Sequence, residues 1–142
     1  MYLDKLLTVS NAQAITSGQI LSTDVIDLSV NREIGEGRDL YFACAFNPLL
    51  VGGTALTIEV LVSDTADMAT PVVAGSSGVK ALADIGNMQY VRINPLSGSL
   101  GKRYMALRYT CSGTFTAGAV TSSIVLDIQD GMKRYPSGYT VL

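Results

Sequence analysis

Apolar and polar residues alternate with a period of two along most of this chain. Leu56, Ile58, Val60 and Val62 share one side of the run Leu56–Val62. Val91 and Ile93 oppose Tyr90, Arg92 and Asn94, and Ile124, Leu126 and Ile128 oppose Asp127. That period belongs to extended strands, whose successive side chains point to opposite faces. Asp24–Leu28, Leu40–Phe46 and Arg103–Thr110 extend the pattern, with a short run at Pro71–Ala74. Between the runs stand Gly35-Glu36-Gly37, Gly52-Gly53, Gly75-Ser76-Ser77-Gly78 and Ser97–Gly101, which read as turns. Helix is confined to one turn at Asp64–Met68 and about two turns at Val79–Ile85. About eight short strands separated by glycine turns predict an all-β, antiparallel, jelly-roll-like sandwich with at most one or two short helical turns. The 142 residues show neither a composition break nor an internal repeat, so one domain spanning 1–142 is expected.

Charge narrows the function. Only 15% of residues are charged, and ten Lys and Arg against twelve Asp and Glu leave a net charge of −2. A typical soluble domain carries about 25% charged residues. Binding a nucleic-acid backbone needs many cations facing phosphates, so no nucleic-acid partner is expected. High hydrophobicity, 48% of residues, is the reverse of the disorder signature. Two uncharged stretches, Leu40–Ile58 and Tyr109–Leu126, have the length of a bilayer span. The first is broken by Asn47-Pro48 and Gly52-Gly53, and the second is half small or hydroxylic residues, so no membrane partner is expected. Asp4 and Lys5 interrupt the N-terminus, which reads as lacking a secretory signal.

The absence of histidine removes Ser-His, Cys-His and His-metal constellations together. Cys44 and Cys111 both fall in apolar alternations and read as small buried hydrophobes, with a disulfide between them left open. Ser77-Gly78-Val79-Lys80 has the S-x-x-K spacing of serine–lysine hydrolases but follows a Gly-Ser turn and lacks the companion motifs. Asp64/Asp67 and Asp127/Asp130 are acid pairs at strand ends, where Asp ordinarily forms turns. A Ca²⁺ site on Asp64 and Asp67 would need a glycine-bearing loop that is missing. No catalytic, cofactor-binding or metal residue is assigned, and no enzyme activity is expected.

Three segments are candidates for gripping a partner. The N-terminal stretch 1–16 mixes Tyr2, Leu3, Leu6 and Leu7 with polar residues. The tail 132–142 carries Arg134, Tyr135 and Tyr139, residue types enriched at interface hot spots. Edge strands or frayed ends are the other reading of both. Leu49, Leu50 and Val51, read as a hairpin tip, form an aliphatic run that solvent disfavours unless something covers it. The alternative there is that the run tucks under the end of the sandwich.

The order of short motifs in the first third resembles a known family. Tyr2-Leu3-Asp4 is followed by Ser10-Asn11-Ala12-Gln13-Ala14-Ile15-Thr16, then Ser22-Thr23-Asp24-Val25-Ile26-Asp27-Leu28, then Arg32-Glu33-Ile34-Gly35-Glu36-Gly37 leading into Leu40-Tyr41. Over residues 2–46 this is similar to the capsid cement (decoration) proteins of tailed bacteriophages, specifically the Bordetella-phage cement protein family. The resemblance implies a jelly-roll domain on the outer surface of an icosahedral head, in the virion, after assembly in the bacterial cytoplasm. It implies two partners, the major capsid protein and further copies of the chain as a homodimer or homotrimer. It implies no cofactor and hands down no site residues. The alternative is a carbohydrate- or receptor-binding β module of a phage tail or fibre. With neither Trp nor His, such a module would depend on the seven tyrosines.

Overall fold

The computed structural model describes residues 5–32, 40–94 and 102–125. A 3₁₀ turn at Lys5–Leu7 leads into nine strands: β1 Thr8–Ala14, β2 Gln19–Leu21, β3 Ile26–Arg32, β4 Leu40–Phe46, β5 Ala55–Ser63, β6 Val72–Ala81, β7 Met88–Ile93, β8 Lys102–Ser112 and β9 Ala119–Val125. One helical turn, α1 Leu82–Ile85, joins β6 to β7. The strands form two antiparallel sheets. The first has the order β1-β9-β4-β7 and the second β2-β8-β5-β6, with β3 continuing β2 along the same edge of β8. Counting β2 and β3 as one interrupted strand, each sheet has four positions and the chain crosses between sheets repeatedly. That order is a jelly roll.

The inward faces explain why these residues take these places. Phe42, Cys44 and Phe46 of β4 and Leu56, Ile58 and Val60 of β5 are buried at alternate positions, and the two sheets share one core. Where β2 gives way to β3, Ser22 keeps the ladder closed. Its N–H donates to the Leu107 carbonyl at 2.8 Å, and its Oγ accepts from the Leu107 N–H at 3.1 Å. A second, smaller cluster lies on the outer face of the second sheet. Met68, at φ 57°, turns its side chain onto Leu61 and Ala106 and so pins the β5–β6 loop.

One polar chain crosses the core. Tyr109 of β8 is fully buried, and its hydroxyl lies 2.9 Å from Ser10 Oγ on β1 and 2.7 Å from Ser122 Oγ on β9. Ser10 donates to Gln13 Oε1 at 2.8 Å. A hydroxyl carries one proton, so Ser10 accepts from Tyr109, and Tyr109 accepts from Ser122. Irregularities in the β1–β9 register on either side of Ser10 turn its hydroxyl inward beside Val9. Both sheets are thereby tied by hydrogen bonds as well as by packing.

Most sequence-derived strands are present, with differences that have identifiable causes. Thr8–Ala14, read as part of an interaction segment, is the edge strand β1; its irregular register hides the alternation. Gly75-Ser76-Ser77-Gly78 is the bulged interior of β6 and not a turn. Gly78 takes φ 68°, and the Ser77 hydroxyl accepts the Ile58 N–H at 3.0 Å where the ladder is interrupted. Val79–Ala81 accordingly extends β6, and helix begins only at Leu82. The β4–β5 connection is not a hairpin, because the two strands belong to different sheets. Both thiols are free. Among the described residues, no helix is long and apolar enough to cross a membrane.

Candidate functional site

Strand directions gather four sheet-crossing connections at one end of the sandwich: residues 15–18, 47–54, 82–87 and 113–118. They are built as one unit. Val51 N–H donates to the Ala117 carbonyl at 3.0 Å, and Thr116 N–H donates to the Val51 carbonyl at 2.8 Å. Phe115 N–H donates to Thr16 O at 2.7 Å, Ile15 N–H to Gly118 O at 3.2 Å, and Leu82 N–H to Thr54 O at 3.0 Å. Each loop thus uses a neighbouring loop as its hydrogen-bond partner, which fixes the surface with no regular secondary structure beyond the turn α1.

Leu50 anchors the longest of the four. It is 6% exposed and packs in the core, lying so close to Gly118 that a β-carbon there would collide with it. With Leu50 turned inward, its neighbours turn outward: Leu49 and Val51 are each 53% exposed. The aliphatic run therefore divides, and Leu50 belongs to the core and not to any contact surface. On the same four connections Thr16, Ser17, Asn47, Thr54, Thr114 and Thr116 are all exposed. Across the four connections Asp84 is the sole charged residue.

The opposite end has the reverse character. The 3₁₀ turn at Lys5–Leu7 precedes β1 there, and β9 finishes there at Val125. Lys102 reaches Asp64 at 3.0 Å, and Arg103 grips Asp27 with two bonds of 2.8 and 2.9 Å. That grip, with the Ser29 N–H, holds the Asp27 carboxyl down at about 2. Leu6 is 85% exposed on the 3₁₀ turn, whereas Leu7 is half-buried and packs against the core. Tyr2, Leu3, Arg134, Tyr135 and Tyr139 lie outside the described residues.

Of the chemistry weighed from sequence, Asp127 and Asp130 lie outside the described residues, and the rest falls on a bulge, a turn and an ion pair. Ser77 and Lys80 stand on a bulged strand, where Ser77 donates to the Gly78 carbonyl. Asp67 accepts the Ala69 N–H at 3.1 Å, and Asp64 faces Lys102. Among the described residues, no three Asp, Glu or Cys side chains gather as metal ligands would. A cleft of about 310 Å³ is lined by Lys5, Thr8, Asn11, Asp24 and Thr121, without buried polar groups pointing into it. Burial pushes the Cys44 thiol up to about 12 and raises that of Cys111, so neither is an activated nucleophile.

Sequence reasoning missed Val79, which is 77% exposed and shares the outer face of the second sheet with Thr57, near the four loops. Reading Val79 as helical concealed it. A strand assignment from the bulge chemistry of Ser76–Gly78 would have placed it outward. Compared with known proteins, the chain matches the family model Bbp16 over residues 9–124. No curated protein matches it.

Proposed function

As the chain belongs to the Bbp16 family of Bordetella phage protein, we propose that it is a structural capsid cement protein. In this role it binds the outer surface of an icosahedral phage head and bridges major capsid proteins, stabilising the shell without covalent bonds. The observation that carries this reading is the polarity of the sandwich. One end is poor in charge, with Asp84 alone in its four connections, and carries exposed Leu49 and Val51; the other carries the Lys102–Asp64 and Arg103–Asp27 pairs, the exposed Leu6 and the end of β9. A subunit with two unlike, opposed ends can hold two neighbours at once. A rigid double sheet between them transmits load, and many weak contacts on one shell add to a large avidity.

Self-association as a homodimer or homotrimer belongs to the same reading, because a symmetric cluster on the shell multiplies the contacts of each copy. The test is assembly. Purified protein added to shells lacking it should sediment with them and raise the temperature at which they rupture. Free protein left in the supernatant, with unchanged shell stability, refutes the proposal. Binding to a glycan array in place of shells would favour a receptor-binding module.

A further inference from the structure

Resting on the cement reading, we propose that the end formed by residues 15–18, 47–54, 82–87 and 113–118 docks into an uncharged, apolar recess of the shell protein. Leu49 and Val51 are the inserted side chains. The charge pattern dictates the partner's chemistry. In these four connections Asp84 is the only charge, although 15% of the whole chain is charged. Away from Asp84, a partner bringing fixed charges to this surface would lose their water and meet no counter-charge. The matching surface is therefore also uncharged.

The form of the end fits insertion. Leu50 in the core fixes the two exposed side chains on either side of it, and the backbone bonds from Val51 to Ala117 and from Thr116 to Val51 hold that segment against the 113–118 connection. Pre-ordering of this kind lowers the conformational cost of binding. Thr16, Thr114 and Thr116 are exposed on the same connections and would supply a polar rim to the aliphatic centre. Burying the exposed half of Leu49 and of Val51 is worth about tenfold in affinity for each side chain.

Shells lacking the protein, titrated with the full-length chain and pelleted in 50 mM and 500 mM NaCl, test the proposal. The ratio of half-saturation between the double variant Leu49→Ser/Val51→Ser and the parent should agree within about twofold in the two salts, because the contact made by this end holds no ion pair to be screened. The double variant Leu49→Ser/Val51→Ser should raise half-saturation roughly a hundredfold while its unfolding temperature stays near that of the parent. Thr114→Lys and Thr114→Glu, both at an exposed position, should each weaken binding, since an uncharged recess rejects either sign. Tighter binding by one sign, a variant-to-parent ratio that changes tenfold with salt, or undiminished binding by the double variant overturns the inference. Those results leave cementing intact, whereas a parent chain that fails to pellet in either salt refutes cementing itself.

Discussion

Replacing Tyr109 by Phe should destabilise the sandwich far more than the loss of one oxygen atom suggests. The ring stays, so the packing of a fully buried aromatic is retained and the cavity left is one hydroxyl in size. What changes is the polar chain. Ser122 O–H loses its acceptor at 2.7 Å, and Ser10 Oγ loses its donor at 2.9 Å. Both serines are fully buried, so water does not replace the lost partner. Each orphaned group costs about 1–3 kcal/mol, and the two together about 2–4 kcal/mol, since some local relaxation is expected. For a chain of this size that lowers the melting temperature by roughly 8–16 °C. The triple variant Ser10→Ala/Tyr109→Phe/Ser122→Ala removes every member of the chain except Gln13, whose Oε1 keeps the Thr23 N–H at 3.0 Å. It should be no less stable than Tyr109→Phe alone, because the hydroxyl chain leaves no orphan and only the weakly bonding Cys44 thiol loses its Ser122 partner. Thermal and urea unfolding of the single and triple variants measure this directly. A single-variant cost below about 1 kcal/mol, or costs that simply add in the triple, would refute the assignment of the hydroxyls as one cooperative unit.

Four further outcomes follow from the same structure. Leu50→Ala should cost about 2–4 kcal/mol in unfolding free energy, while Leu49→Ser stays within about 0.5 kcal/mol; equal costs would mean that Leu50 is not the anchor. Cys44 should resist Ellman's reagent in the folded protein and react only on unfolding, with Cys111 the faster of the two. Since burial raises the folded values of Cys44 and Tyr109 above their unfolded ones, the stability they contribute is complete below about pH 8.5 and is lost as pH rises toward 12. Asp27 has the opposite sign. Its folded value of about 2 is below the unfolded one, so its contribution is present above about pH 4 and disappears as pH falls through 2. Asp27→Asn should flatten that acid limb in a titration of melting temperature, and added salt should do the same because the pair with Arg103 is exposed.

Much of the fold was legible because burial repeats with a strand's period. Leu40–Phe46 and Leu56–Val62 carry their large core side chains at alternate positions, and both are strands with little change of boundary. Alternation failed where the ladder itself is irregular. In β1 the displaced register puts Val9 and Ser10 both inside, and in β6 the bulge at Ser77 and Gly78 imitates a turn. Of the contact candidates, the run Leu49–Val51 was found from hydrophobicity alone, but its division into an anchor and two exposed residues was not visible. Hydrophobicity is equal across the three; the direction each side chain takes depends on Gly118 and Ala117, more than sixty positions away.

By itself the sequence determined the class of the molecule: antiparallel sheets, short connections, and chemistry stripped of histidine and poor in charge. Those properties are local, set by backbone period and side-chain type, and survive any arrangement of the strands. Which strands are neighbours was decided only in three dimensions. The tertiary structure brings four connections, distant in sequence and each with at most one charge, onto the same end, and it sends the Lys102–Asp64 and Arg103–Asp27 pairs to the other. A scarcity of charge spread over the whole chain becomes a surface only when the crossing order of a jelly roll collects it.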